Sequence, residues 1–213
     1  MAPSGTRAAP TLSREGIVTG NTYDKYSTPN PFARALMRGF ERSLDELLAV
    51  AAPASALDVG CGEGVVVHRW ARQRPSTRFV GIDLEEDSIQ AGWDRHRAPN
   101  LEYRTMAAEA LPFADGEFEL ASAIEVLEHL PHPERALAEM ARCARGHLLV
   151  SVPREPLWRA LNVARGAYWG ALGNTPGHLN HWSRRSFAEL LSRHGELRAL
   201  RSPFPWTMAL VRL

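Results

Sequence analysis

Glu125, Glu128 and His129 stand together in the run Glu125-Val126-Leu127-Glu128-His129. Offsets of three and four residues put such side chains on one side of a helical turn. Two carboxylates and an imidazole so placed can do two kinds of work. They can take a proton from a reacting hydroxyl or amine as general bases. They can also ligate a divalent cation: carboxylates and water suit magnesium or manganese, and histidines shift the preference toward manganese, iron or zinc. His132, His178 and His181 are further candidates for the base. The plain alternative is a helix start whose glutamates cap or are solvated and whose histidine packs.

A second constellation is Leu57-Asp58-Val59-Gly60-Cys61-Gly62-Glu63-Gly64. Three alternating glycines are too many for an ordinary turn. Glycines between a strand and a helix allow a tight turn and close approach of the backbone to a ligand. A dehydrogenase fingerprint needs glycine at position 65 in this register, and Val65 is there instead. About twenty residues on, Gly81-Ile82-Asp83-Leu84 ends a second strand in an acidic side chain that can accept both hydroxyls of a ribose. Asp83 can also be read as a helix N-cap.

The elements that must position these residues alternate. Apolar spacing predicts a helix over 31–51, with Pro31 at its start and Pro53 just beyond its end. Strands are expected over 56–59, 78–82, 101–104, 118–123 and 147–152. Helices are expected between them over 65–72, 87–95 and 133–143. That rhythm implies right-handed βαβ units and a parallel sheet, an α/β fold. After Pro153 it breaks. Residues 155–172 read as one long aromatic helix, 173–180 as a loop, and 184–193 as a helix behind Ser183 as N-cap. Two last strands, 197–201 and 208–212, flank a Pro-rich turn.

Hydrophobic residues make up 45% of the 213 and charged residues 23%, with a net charge of +1. One domain with a full core suffices. The charge calls for neither nucleic acid nor an anionic membrane. No apolar run is long enough to cross a membrane. Residues 1–20 read as a flexible tail without a signal-peptide core, and 21–213 as a single domain. Cys61 and Cys143 are too few for a disulfide framework, so a cytoplasmic protein with free thiols is the default expectation.

The segments LDVGCGEG, GIDLEEDSI, AAEALPFADGEFEL and AIEVLEHLPHPERAL resemble, in order and spacing, the class I S-adenosylmethionine-dependent methyltransferases. The resemblance covers residues 54–152 well and the rest more loosely. It implies a Rossmann-like seven-stranded sheet, mostly parallel, with an antiparallel last strand and helices on both faces. It implies that Asp58, Gly60, Cys61 and Gly62 border the methionine part of the cofactor, with a side chain at Gly60 occupying space the cofactor needs. Asp83 would hold the ribose, Leu84 would flank the adenine, and Ala108 and Glu109 would border it, with Glu125 also at the cofactor's edge. Relatives often carry Asp where this chain has Ala107, so the contact to the adenine amino group falls to a backbone group or to Glu109. The segment Tyr23-Asp24-Lys25-Tyr26 resembles a lid through which Tyr23 or Tyr26 contacts the methionine carboxylate; packing on the core is the alternative.

The Glu-x-x-Glu-His segment, with His178 four residues before Trp182, is similar to the small-RNA 2′-O-methyltransferases, where such residues hold magnesium. The ubiquinone-pathway O-methyltransferases resemble it in the first segment. That resemblance implies a metal set of Glu125, Glu128, His129 and His178, with His181 as substitute for His178. Glu125, His129, His178 and His181 are the catalytic candidates in either case. The insertion 153–182 would cover the acceptor, with Trp158, Tyr168, Trp169 and Trp182 roofing a pocket and Arg154, Arg159 and Arg165 meeting an acidic group. The leading expectation is O-methylation of a small molecule. The alternatives are 2′-O-methylation of an RNA end and a cofactor-binding protein that transfers no methyl group.

Overall fold

The computed structural model describes residues 30–84 and 87–213. The chain runs α1 (Pro31–Ala51), β1 (Ser55–Val59), α2 (Val65–Gln73), β2 (Arg78–Asp83), α3 (Asp87–Arg95), β3 (Leu101–Thr105) and β4 (Phe118–Ile124). A 3₁₀ turn, Leu127–His129, follows β4. Then come α4 (Pro133–Cys143), β5 (Ala144–Pro153), α5 (Leu157–Ala164), a second 3₁₀ turn (Trp169–Ala171), α6 (Arg184–Leu191), β6 (Glu196–Arg201) and β7 (Trp206–Arg212).

The seven strands form one sheet in the order β3-β2-β1-β4-β5-β7-β6. Pairings from β3 through β5 are parallel, and β7 runs antiparallel to both β5 and β6. This is the Rossmann-like arrangement that the alternation predicts. Alternate residues of a strand face opposite sides, and the core divides accordingly. Leu57, Val59, Leu148 and Val150 join α4 and α6 on one face. Ala56, Leu149, Leu210, Phe40 and Trp70 join α1 and α2 on the other. The chain order reverses between β1 and β4, and ligands of open α/β sheets sit beyond the carboxyl ends of strands at that point. The glycine loop leaves β1 there, and the acidic segment leaves β4 there.

Local chemistry explains the element ends. Asn30 caps α1 by accepting the N–H groups of Phe32 and Ala33, and Ser183 with Ser186 makes a reciprocal cap on α6. The main departure is the region expected as one helix over 155–172. α5 stops at Ala164 because Gly166 turns to φ +75°, and Tyr168 and Leu172 also take left-handed backbone. Asn162 then ties the returning stretch of chain to α5 through the carbonyl of Gly173, at 2.8 Å. A helical apolar repeat cannot register such a reversal, because the tertiary bond that holds it lies eleven residues away. No helix of the described residues is long and apolar enough to cross a membrane. The segment 1–29, including Tyr23 and the expected lid, lies outside the described residues.

Candidate active site

The loop between β1 and α2 puts Gly60, Gly62 and Gly64 at φ +70°, +54° and +84°, where side chains are strained. The backbone N–H of Gly62 donates to Asp83 Oδ2 at 2.6 Å, and that of Leu84 donates to Asp83 Oδ1 at 2.7 Å. Asp83 is therefore turned onto the glycine loop, and α3 begins four residues later. The indole of Trp93 donates to the Gly62 carbonyl at 2.8 Å, bracing the loop from α3. The two first glycines differ in surroundings. A Cβ on Gly60 would sit 2.6 and 2.7 Å from the two methyls of Val126, whereas a Cβ on Gly62 meets no atom of the described residues within 4 Å. Among the described residues open space thus faces Gly62, beside a carboxylate that accepts from two backbone donors. That is a cradle with the polarity a ribose-bearing cofactor needs.

Asp58 lies beneath this loop, 3% exposed, and Ser122 of β4 donates to its Oδ1 at 2.6 Å. Burial pushes its carboxyl up to about 7, against the pull of Ser122, and the charge of Asp83 pushes the same way. Cys61 is a thiol whose pKa is raised, first by burial and then by Asp58 and Asp83, so it is no nucleophile. Ala108 and Glu109 are half-buried in the turn after β3. The segment that follows is clamped by Arg142, which donates to the carbonyls of Leu111 and Phe113 at 2.8 Å each. Arg142 also binds Glu139, and with the N–H of Leu111 it holds the Glu139 carboxyl down to about 2.

Beyond β4, ligand atoms of Glu128, His129 and His178 lie within 4.8 Å of one another. Glu128 and His178 are buried. The loop bearing His178 is stitched to the 3₁₀ turn by backbone: Leu179 and Asn180 donate to the Glu128 carbonyl at 2.7 and 3.1 Å. Asn180 Nδ2 reaches the carbonyls of Leu127 and Leu130. His129 Nδ1 lies 3.0 Å from the Gly177 carbonyl. A carbonyl only accepts, so Nδ1 carries the proton, and in the neutral ring Nε2 is then the nitrogen with the lone pair. Orientation of a histidine by a carbonyl is the usual support of a metal-binding imidazole. Two imidazoles and one carboxylate suit a divalent transition ion, so the residues present fit a cation.

Of the remaining candidates, Glu125 is not in the group whose ligand atoms all lie within 4.8 Å of one another. It leaves β4 at φ +60° and its carboxylate accepts from Trp206 Nε1 at 2.7 Å and Ser151 Oγ at 3.2 Å. His181 is exposed and pairs with Asn174 at 2.6 Å, leaving His178 as the histidine of the loop that meets Glu128 and His129. Trp158 lies along His178, with ring centroids 6.2 Å apart, and against Trp206 at 5.8 Å. Trp182 packs on Phe187. Trp169 and Leu172 are 67% and 73% exposed, so the outer half of 153–182 turns aromatic and apolar groups to solvent. Trp206, Ser151, Ser122 and Trp93 escape sequence reasoning, because each acts through a partner at least twenty-five residues away.

Residues 32–195 match the model of a methyltransferase-domain family. A ubiquinone biosynthesis O-methyltransferase from Methylococcus capsulatus is 31% identical over 158 residues, which cover 66% of this chain and 65% of that protein. A phthiotriol/phenolphthiotriol dimycocerosates methyltransferase from Mycobacterium tuberculosis is 35% identical over 89 residues, 42% of this chain and 33% of that one. The chain thus spans less than two thirds of the length of these curated relatives. In architecture it is similar to magnesium protoporphyrin IX methyltransferase from Synechocystis PCC 6803, solved with bound S-adenosylhomocysteine. The TM-score is 0.62 at 16% identity, over 87% of this chain and 89% of that one. With its sheet order, its glycine loop and its acidic end of β2, the chain belongs to the class I S-adenosylmethionine-dependent methyltransferases.

Proposed function

We propose that the protein transfers a methyl group from S-adenosylmethionine to a hydroxyl of a small molecule, with the acceptor held against Glu128, His129 and His178. The single observation that carries this reading is the convergence of those three residues beside the cofactor loop. Val126, against which Gly60 packs, immediately precedes the 3₁₀ turn that presents Glu128 and His129. The named role of the Methylococcus relative, O-methylation in ubiquinone biosynthesis, supports an oxygen acceptor.

The reaction is an in-line displacement. The bond from sulfur to methyl carbon breaks, the bond from acceptor oxygen to that carbon forms, and the sulfonium becomes a neutral thioether. The acceptor's proton passes to water at the site, with Glu128, His129 and His178 placed to accept it when they hold no cation. The loop at Gly60, Cys61 and Gly62 and the carboxylate of Asp83 hold the cofactor, with Leu84, Ala108 and Glu109 at the adenine side and Asp58 below. The insertion 153–182 covers the acceptor and excludes water. Glu128, His129 and His178 would hold a divalent cation, which when bound would supply Lewis acidity that lowers the pKa of an oxygen acceptor. Two histidines in that set favour manganese, iron or zinc over magnesium.

Asp83→Ala should weaken S-adenosylhomocysteine binding by about 1.5–3 kcal/mol, the value of a hydrogen bond to a charged group. Titration calorimetry reads it directly. An effect near zero would leave Asp83 as a brace for the Gly62 and Leu84 N–H groups alone.

The acceptor chemistry is tested by labelled-methyl transfer across phenols, carboxylic acids, sugars, lipids and short RNAs, before and after chelation. We expect turnover on a hydroxyl-bearing small molecule to fall at least about tenfold on chelation and to return with manganese or zinc. His178→Ala should mimic chelation while cofactor affinity stays unchanged. Full turnover after verified metal removal would sink the cation. Transfer confined to RNA would replace the small-molecule acceptor.

A further inference from the structure

We infer that Trp206 and Ser151 hold Glu125 out of the cation site, so that the site is built from three protein ligands, Glu128, His129 and His178, and that loosening Trp206 recruits Glu125 as a fourth. This rests on the cation reading above.

The spacing of Glu125, Glu128 and His129 would gather all three carboxylate and imidazole groups if the segment were helical from Glu125 onward. It is not. Glu125 has φ +60°, Val126 has φ −123° and ψ −48°, and the turn covers only Leu127–His129. The regular offset is therefore lost between Glu125 and the other two. A non-glycine residue in left-handed backbone persists only where its surroundings fix it. Bonds that do so here include the Glu125 N–H to the Ser151 carbonyl at 3.1 Å, the Ser151 hydroxyl to Oε1, and the Trp206 indole N–H to Oε2 at 2.7 Å.

The indole cannot follow a moving carboxylate. Trp206 is 5% exposed, opens β7 opposite Pro153, and is wedged between Phe40 at 4.7 Å and Trp158 at 5.8 Å. Trp158 is itself fixed by its N–H to Thr175 Oγ1 at 3.0 Å and lies along His178. One aromatic ladder thus braces His178 and anchors Glu125 elsewhere. To join the trio, Glu125 must surrender a charge-assisted bond that has no replacement donor on the buried indole.

Manganese titration of the whole protein, followed by the paramagnetic resonance of the free ion, tests this without an acceptor. Glu128→Gln should weaken manganese binding at least about tenfold, and Glu125→Gln should leave it within about threefold. Trp206→Phe keeps the ring and deletes the N–H, and should tighten binding by roughly tenfold. The double variant Trp206→Phe/Glu125→Gln should return to the wild-type value. Ser151→Ala, a smaller change, should shift affinity in the same direction, and guards against a Trp206→Phe protein that does not fold. Equal losses for Glu125→Gln and Glu128→Gln overturn the three-ligand set while leaving the cation in place. Unchanged affinity in both Trp206→Phe and Ser151→Ala overturns the restraint. No manganese binding to the wild type overturns the cation reading and this inference with it.

Discussion

Replacing Gly62 by valine is expected to abolish measurable binding of S-adenosylhomocysteine, a loss of at least about a hundredfold, in a protein that still folds. The left-handed backbone at Gly62 costs a side chain on the order of 1–2 kcal/mol, well inside the roughly 5–15 kcal/mol stability of an ordinary domain. Among the described residues the added carbon itself strikes nothing, since none of their atoms lies within 4 Å of it. It occupies instead the open space beside Asp83. Gly60 behaves differently: besides the space expected for the cofactor, a side chain there meets the core. A carbon there runs into both methyls of Val126, a residue 9% exposed within the core cluster of β1, β4 and α4. Gly60→Val should therefore lose about 1–3 kcal/mol of stability through overpacking, beyond backbone strain. Calorimetric melts separate the two: near-native melting without binding for Gly62→Val, and a lowered melting temperature for Gly60→Val. Intact cofactor affinity in Gly62→Val would remove the loop from the binding site.

That contrast shows how far the sequence can be read. Glycine spacing, the acidic end of β2 and strand–helix alternation locate the loop, because each follows from short-range chemistry: positive φ, period-two burial, capping. What lies across from each glycine is a long-range fact. Val126 is sixty-six residues from Gly60, and nothing in either segment announces their contact. The acidic segment is the same kind of case. The offsets of three and four among Glu125, Glu128 and His129 suggest one ligand face, and that suggestion assumes a helix. The left-handed turn at Glu125 leaves only a 3₁₀ turn over Leu127–His129 and hands the first carboxylate to Trp206, eighty-one residues on. His178 and His181 are indistinguishable in sequence. Asn180 separates them: its backbone and side chain tie the loop to the 3₁₀ turn, which leaves His178 inside against Trp158 and His181 outside on Asn174.

Asp58 carries the second large effect, on stability against pH. Its carboxyl has an ordinary value of 3.8 in the unfolded chain and about 7 in the folded one, chiefly because burial disfavours the charge. Protonated, it can donate to Ser122 Oγ, whose single proton then turns to the Leu57 carbonyl 3.3 Å away. Ionised, it draws that proton to itself and leaves the carbonyl with less. The folded state thus binds the proton more tightly than the unfolded state. The associated stability is fully present below pH 3.8, declines as pH rises, and is gone once pH passes 7. A difference of that size in proton affinity corresponds to about 4 kcal/mol. Other carboxylates act in the opposite sense, Glu139 among them, so the total curve is not diagnostic and a difference between variants is needed. An asparagine side chain at this position would keep the size and both hydrogen-bonding roles of the protonated acid without a charge to bury. Asp58→Asn should therefore gain stability relative to wild type steadily from about pH 4 to pH 7 and then level off, by roughly 4 kcal/mol in all. Urea melts at half-unit steps of pH measure it. A variant-to-wild-type difference that stays flat across that window would mean that Asp58 is already ionised in the folded protein, held by Ser122 against the burial of its charge.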